Sequence, residues 1–354
     1  MQIALDLAKK GMHTAKPNPR VGCIVVSENK IVGQGWHRQT GEAHAEAIAL
    51  SEAGDKAKDS TVYSTLEPCT HFGQTPPCVE ALIAAAVGKV VYAMEDPNPV
   101  VSGQSRKILE SAEIEVISGV LSQESKDLNI GFNKRMKYGL PYIRTKIAAS
   151  IDGKTALLNG ESQWISSKQS RDDVQLWRAR SCALVTSIDT VIADDPSLNV
   201  RINDFSDIDQ PTRVILDSQL RIRGDYKILK SPGDVIVYSL QQVHNDPIFE
   251  GMIENTNERD GHVSLESVFR DLAKKEINEV MFECGGTLNG ALLKQNLIDE
   301  IIIYLAPCIL GDQANNMFSL PAISAMSERY NFNLIQVDRT GDDIRVILRK
   351  ANPV

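Results

Sequence analysis

Nowhere in these 354 residues does an apolar run approach the ~18 residues that a membrane-spanning helix requires. Cysteine is scarce as well: six in a chain of this length are too few for a disulfide scaffold, which excludes the small secreted classes built on such bridges. Positive charge is in deficit. Lys plus Arg number 38 against 46 Asp plus Glu, a formal net charge of −8. Such a chain lacks the broad positive field of non-specific nucleic-acid binding, although a few local arginines can still hold a small anion. There is no internal repeat and no low-complexity segment. The opening ten residues read as an amphipathic helix and not as a signal peptide. Asp6 interrupts any apolar core, and no small-residue cleavage site follows. A cytoplasmic protein is expected.

What the chain does hold is the balance of an ordinary globular protein, with 42% hydrophobic and 24% charged residues. At ~100–200 residues per domain its length predicts two domains. Over the first 135 residues helix and strand patterns alternate. A hairpin is predicted over residues 21–26 and 30–35 with Glu28 and Asn29 at its turn, strands over 60–65, 89–94 and 114–117, and helices over 43–53, 77–86 and 105–112. That alternation implies a mostly parallel sheet with helices on its faces. A basic stretch, Asn133-Lys134-Arg135-Met136-Lys137, leads to Gly139-Leu140-Pro141, where both periodic structures break. The predicted domains are therefore 1–140 and 141–354. The second half is α/β again, with strands predicted at 142–149, 182–186, 213–217, 235–239, 279–283 and 300–306, and helices at 265–276 and 288–295. A hairpin over 331–337 and 343–349 closes the chain, and the polar stretches 203–209 and 245–259 read as surface loops.

Four of the six histidines, His13, His37, His44 and His71, fall in the first 71 residues. The most specific pattern is His44-Ala45-Glu46 followed by Pro68-Cys69 and Pro77-Cys78, with eight residues between the cysteines. Two thiolates and a neutral imidazole bind Zn²⁺ tetrahedrally and leave one position open. A metal so held lowers the pKa of its water towards ~7. A carboxylate that is not a ligand can carry the released proton to a ring nitrogen and then to a leaving amine. Predicted helix starts at both places favour thiolate over thiol. The blander readings are a core histidine with two cysteines spaced by coincidence, or a closed structural zinc with His71 as fourth ligand. Both prolines and Glu46 favour the open site, with His71 as a substrate contact. The other cysteines, Cys23, Cys182, Cys284 and Cys308, stand in apolar surroundings and read as small core residues.

The stretches Lys16-Pro17-Asn18-Pro19-Arg20-Val21-Gly22-Cys23, Gly41-Glu42-Ala43-His44-Ala45-Glu46 and Thr65-Leu66-Glu67-Pro68-Cys69-Thr70-His71-Phe72-Gly73-Gln74-Thr75-Pro76-Pro77-Cys78 resemble the bacterial bifunctional riboflavin-biosynthesis family. There a diaminohydroxyphosphoribosylaminopyrimidine deaminase precedes a 5-amino-6-(5-phosphoribosylamino)uracil reductase. The long gap between the cysteines is part of the resemblance, since deaminases of free cytidine or tRNA carry about two residues there. The resemblance implies a cytidine-deaminase-like α/β/α first domain, with zinc at His44, Cys69 and Cys78 and proton transfer by Glu46. It also implies substrate contacts from Asn18, His37 and His71. Two departures stand out: Phe72 where the family usually has a second His, and Gln74 where it usually has Arg or Lys.

The second half places Glu283-Cys284-Gly285-Gly286-Thr287-Leu288-Asn289-Gly290 between a predicted strand and helix. Backbone N–H groups at a glycine-rich helix start can bind pyrophosphate. Glycine there is also ordinary turn chemistry, and the pattern is not the G-x-G-x-x-G fingerprint. The resemblance continues through residues 146–154, 160–165, 190–198 and 214–218, which look like the family's reductase domain, similar in fold to dihydrofolate reductase. NADPH contacts are then implied at Ala148, Trp164, Thr190, Asp194, Ser218 and the turn residues Gly285, Gly286, Thr287, Leu288, Asn289, Gly290 and Ala291. Substrate contacts are implied at Ser162, Arg178, Leu198, Arg201 and Glu283. Arg178 and Arg201 suit a phosphate, which a guanidinium grips through paired bonds. Hydride delivered to ribose C1′ opens the sugar to a ribityl chain and requires a proton for the departing ring oxygen. Asp194 and Lys154 are the candidates to position that proton, while Asp195 reads equally well as a helix cap or turn. The partners expected are a phosphorylated aminopyrimidine and, from the resemblance, a second copy of the chain through the reductase domain. Neither nucleic acid nor membrane is expected.

Overall fold

Glu28 and Asn29 both take positive φ, 47° and 59°, the two-residue turn whose twist matches that of paired strands. They join β1 (Gly22–Ser27) to β2 (Lys30–Trp36). This hairpin opens the first of two units, Met1–Leu140 and Pro141–Val354. The computed structural model describes residues 1–70, 76–98, 102–202, 208–241 and 247–351. Among them, β3 (Thr61–Leu66), β4 (Lys89–Met94) and β5 (Glu115–Ser118) complete a sheet in the order β2-β1-β3-β4-β5. β1 is antiparallel to both neighbours, whereas β3, β4 and β5 run parallel. The hairpin thus makes the sheet mixed where a mostly parallel one was predicted.

The helices of this unit are α1 (Gln2–Lys9), α2 (Ala45–Ala53), α3 (Cys78–Ala84), α4 (Gln104–Ser111), α5 (Ser122–Leu128) and α6 (Ile130–Tyr138). The basic stretch at 133–137 lies within α6, and Gly139, at φ 64°, ends that helix. Packing between α2 and the hairpin fixes the site. A Cβ on Gly33 would stand 2.1 Å from the Ala49 carbonyl oxygen, and one on Gly35 would stand 2.4 Å from that of Ala45. Only glycine lets the helix backbone lie directly on the strand. Alanines along α2 complete the contact, and Ala45, Ala49 and Ala53 join Cys23, Val25, Val62 and Leu82 in one buried cluster.

The second unit contains β6 (Tyr142–Ser150), β7 (Lys154–Ala156), β8 (Ala183–Ser187), β9 (Thr212–Leu216), β10 (Val235–Ser239) and β11 (Ile253–Asn255). The short β12 (Glu258–Arg259) and β13 (His262–Val263) pair with each other. β14 (Glu279–Phe282), β15 (Glu300–Ala306), β16 (Asn315–Asn316), β17 (Phe332–Thr340) and β18 (Asp343–Lys350) follow. Among the described residues nine strands form one sheet in the order β11-β10-β9-β8-β14-β6-β15-β18-β17. It is parallel from β11 to β15, with the closing hairpin antiparallel at the edge. The predicted loop at 245–259 carries β11, which extends this sheet; residues 203–207 and 245–246 of the predicted loops lie outside the described residues.

Helices α7 (Lys168–Arg180), α8 (Ile188–Asp194), α9 (Lys227–Lys230), α10 (Leu265–Lys274) and α11 (Gly286–Lys294) connect these strands. α10 is amphipathic in the ordinary way, burying Leu265, Val268, Phe269 and Leu272 on one stripe. The sheet interior also holds charge. Arg144 of β6 is fully buried and bonds Glu279 of β14 on one side and Glu300 of β15 on the other. Arg180 and Arg349 add bonds to the same two carboxylates. Each charge is answered, and removal of one member would leave a buried ion unpaired.

Candidate functional site

His44 is the residue just before α2, with extended backbone (φ −69°, ψ 158°), and not part of the first helical turn as predicted. Cys78 is the first residue of α3, and its backbone N–H donates to Cys69 Sγ at 3.3 Å. His44 Nδ1 lies 3.1 Å from Cys78 Sγ and 3.5 Å from Cys69 Sγ, and one ligand atom from each residue falls within 4.8 Å of the others. Three soft or borderline donors converging on one point, without a fourth among the described residues, suit a tetrahedral zinc with one open position. Cys69 is pulled down to about 4, first by the hydrogen bond from the Cys78 thiol and then by the His44 ring. The Cys78 thiol is pushed up, first by its hydrogen bond to Cys69 and then by burial and the Glu46 charge.

Glu46, in the first turn of α2, is 3% exposed, and its Oε2 accepts from Cys78 Sγ at 3.5 Å. Ser64 of β3 donates its hydroxyl to the other oxygen at 2.8 Å. Burial raises the Glu46 carboxyl above the usual range, against the pull of His44. Asn18 and His37 meet on the same side: Asn18 Nδ2 is 3.0 Å from His37 Nε2, and the His37 and His44 rings stand edge to face at 5.7 Å. Burial lowers the His37 pKa, so the ring favours the neutral form that can accept from the Asn18 amide. His71, Phe72 and Gln74 lie outside the described residues.

In the second unit a cavity of about 690 Å³ opens at the C-terminal edge of the parallel strands, where open α/β sheets bind ligands. Of the residues predicted for this site, Ala148, Ser162, Trp164, Arg178, Thr190, Asp194, Leu198, Arg201, Glu283, Gly285, Gly286, Thr287 and Leu288 line it. Ser218, Asn289, Gly290, Ala291 and Lys154 are not part of that lining. Asn289 is buried and accepts from Thr145, Gly290 packs on the Ser319 backbone, and Lys154 Nζ bonds Asn316 Oδ1 at 2.7 Å. Asp195 is a turn residue at φ 41°, its carboxylate accepting the Lys227 N–H. Cys284, predicted as a core residue, lines the cavity.

The residues of α11 fit a dinucleotide. A Cβ on Gly285 would meet nothing within 4 Å, so the helix start opens into the cavity, while Gly286 lies against the Asn316 carbonyl oxygen. Free N–H groups at the start of this nine-residue helix suit a pyrophosphate. Arg178 holds Glu283 through two bonds of 2.6 and 3.0 Å, and donates a third to the Asn199 carbonyl. Arg178 and Lys146 hold the Glu283 carboxyl at about 2, against the cost of burying it. Arg178 is thus committed to a carboxylate, which makes Arg201 the better placed of the two predicted cations for a phosphate. Asp194 is raised by partial desolvation at the cavity wall.

Sequence reasoning missed three members of these sites. Ser64 orients Glu46, Lys146 stands 3.5 Å from Glu283, and Arg171 stacks over Trp164 at 4.4 Å. For Lys146 a signal existed: charge inside an otherwise apolar buried strand needs a partner.

The model of the cytidine and deoxycytidylate deaminase zinc-binding region matches residues 1–94, and that of the RibD C-terminal domain matches residues 141–346. The riboflavin biosynthesis protein RibD of Escherichia coli is 43% identical over 354 residues, covering 97% of this chain and 96% of its own. Acinetobacter baumannii RibD superposes with a TM-score of 0.93 at 42% identity, over 99% of this chain and 98% of its own. The diaminohydroxyphosphoribosylaminopyrimidine deaminase/5-amino-6-(5-phosphoribosylamino)uracil reductase of Thermotoga maritima gives a TM-score of 0.89 at 31% identity, over 99% and 97%. Two α/β units, a zinc-binding deaminase site at His44, Cys69 and Cys78 and a reductase fold in one polypeptide lead to one conclusion: the chain belongs to the RibD family of bifunctional riboflavin-biosynthesis deaminase/reductases.

Proposed function

We propose that residues 1–140 hydrolytically deaminate 2,5-diamino-6-(5-phosphoribosylamino)pyrimidin-4(3H)-one, and that residues 141–354 then reduce its ribosyl group with NADPH. The product is 5-amino-6-(5-phosphoribitylamino)uracil. The observation that carries this reading is the open three-ligand set with a buried, non-ligating carboxylate beside it. Zinc bound there supplies Lewis acidity that makes water acidic at neutral pH. Glu46 holds and moves the proton: its raised pKa lets it accept from water and deliver to the ring nitrogen and the departing amine. Ser64 keeps the carboxylate from rotating, and Asn18, oriented by His37, offers its amide to the base.

In the second unit a bound nicotinamide supplies hydride to ribose C1′. Arg201 is the residue we place against the ribotide phosphate, and Ser162 and Leu198 shape the same cavity. Of the two groups considered for the ring-oxygen proton, Asp194 lines the cavity, whereas Lys154 is held by Asn316. We therefore assign that proton to Asp194. No helix among the described residues is long and apolar enough to cross a membrane. Ligand thiols that must stay reduced suit the cytoplasm. The exposed edge strand β17, with Leu334, Ile335 and Val337 uncovered, suits a homodimer through this unit.

The test is direct. The diaminopyrimidine ribotide, given to zinc-loaded protein, should release ammonia without NADPH and yield the ribityl product only with it. Ammonia release with no NADPH oxidation would reject the second half of the reading. NADPH oxidation without ammonia release would reject the first.

A further inference from the structure

Gln175 and Arg178 stand three residues apart on α7 and so share one face of that helix, and both line the reductase cavity. Both reach the segment that follows α8. Arg178 donates to the Asn199 carbonyl at 3.1 Å, and Gln175 Oε1 accepts the Arg201 N–H at 2.9 Å. Between these points Gln210 closes on Val200 twice, accepting its N–H at 2.8 Å and donating to its carbonyl at 3.1 Å. Leu198, buried in the cluster around β9, has its backbone in the left-handed region at φ 42°. A residue other than glycine keeps that conformation only where its surroundings over-determine it. The backbone beneath Arg201 is therefore set before any ligand arrives.

The Arg201 side chain has one hydrogen-bond partner among the described residues, and that partner is an amide: Nη1 donates to Asn199 Oδ1 at 3.0 Å. The side chains that hold Val200 and Arg201, namely Gln210, Gln175 and Asn199, are all neutral. Glu283, the carboxylate whose charge acts on Arg201, is already answered by Arg178 and Lys146. A carboxylate at position 199 would accept the same bond more strongly, but it would also cancel the cation. Resting on the placement of Arg201 against the ribotide phosphate, we infer that Asn199 is a positioning residue for the reduction. It aims the Arg201 guanidinium, with Gln175 fixing the backbone, and leaves the whole positive charge to the phosphate.

The test is steady-state kinetics of the full-length zinc-loaded protein at saturating NADPH, with 5-amino-6-(5-phosphoribosylamino)uracil varied. Asn199→Asp keeps an acceptor for Nη1 and adds a negative charge beside the phosphate, whereas Asn199→Ala removes the acceptor and adds no charge. At low salt KM should rise about five- to tenfold in Asn199→Asp and about two- to threefold in Asn199→Ala. kcat should stay near wild type in both, because the phosphate is remote from C1′. The Asn199→Asp effect should shrink with added salt, and KM for the dephosphorylated riboside should match wild type in both variants. A bond that only supports the fold predicts the reverse order, since Asp retains it and Ala does not. Asn199→Ala worse than Asn199→Asp would thus overturn the assignment, as would an unchanged KM in Asn199→Asp or an equal rise for the riboside. Arg201→Ala separates this assignment from the reading beneath it and should raise KM for the ribotide about tenfold or more. An unchanged KM in Arg201→Ala would overturn the phosphate contact itself.

Discussion

Glu283→Gln keeps the shape of the side chain and removes the charge between Arg178 and Lys146. The carboxyl is held at about 2 against an ordinary value of 4.5. Each unit is worth ~1.4 kcal/mol, so the ionised form contributes on the order of 3 kcal/mol at neutral pH. That figure is an upper bound, because the Arg178 and Lys146 side chains keep 12% and 18% exposure and water screens part of the field. The sign follows from the depressed folded-state pKa. The contribution is fully present above the unfolded value and is lost as pH falls through the folded one, a window from ~4.5 down to ~2. Urea denaturation of wild type and variant should differ by roughly 2–3 kcal/mol at pH 7 and by about half that at pH 3. The difference between the two proteins isolates the group from zinc loss, which acid imposes on both. A gap that stays constant between pH 5 and pH 3 would refute the assignment of the shift to this ion pair.

Glu46→Gln should retain about one zinc per chain by metal analysis yet lower deaminase kcat by ~10²–10⁴, because the amide cannot move protons. Zinc lost with the carboxylate would refute its non-ligating role. His44→Ala should lose zinc and deamination but spare NADPH-dependent reduction of the deaminated intermediate, since each unit has its own core. Gly35→Ala should cost about 1–3 kcal/mol in a thermal melt and reduce zinc content, because its Cβ must push the Ala45 carbonyl beside His44. An unchanged melt would show that α2 can shift freely.

The legible parts of this molecule are those whose cause is local. The hairpin at Glu28-Asn29, the strands β4, β10 and β15 and the amphipathic α10 follow from residues adjacent in the chain. So do His44, which immediately precedes α2, and Cys78, which begins α3. The longest helix, α7, was not legible. Its thirteen residues bury only Ser170, Val174 and Ala179, too few to trace an apolar stripe. What fastens α7 to the sheet is polar: Asp173 accepts from the Tyr304 hydroxyl and from Arg345, Arg178 holds Glu283, and Arg180 holds Glu279. A helix stitched by ion pairs looks, from its sequence alone, like solvent-exposed chain. The basic stretch before the domain boundary belongs to α6, which carries these residues at its C-terminal end, where the helix dipole favours them.

The family resemblance named most of the reductase cavity's lining, but residue spacing alone hid it, because topology assembles it from distant parts of the chain. β14 lies between β6 and β8, so Glu283 at its end meets Lys146 of β6 and Arg178 of α7, partners more than a hundred residues away in the chain. Parallel neighbours need crossover connections, and these erase any fixed spacing between residues that meet at the sheet edge. The antiparallel β1–β2 hairpin imposes no such separation, which is why Asn18, His37, His44 and Glu46 remain within thirty residues of one another. What survives in the sequence of a parallel site is the anomaly at each strand. Arg144 and Lys146 both interrupt the apolar run of β6, two residues apart and therefore on one face. A buried charge obliges an opposite one nearby. Glu279, Glu283 and Glu300 stand at the starts and ends of the two strands that flank β6, and pairing these acids with those bases already orders three strands of the sheet.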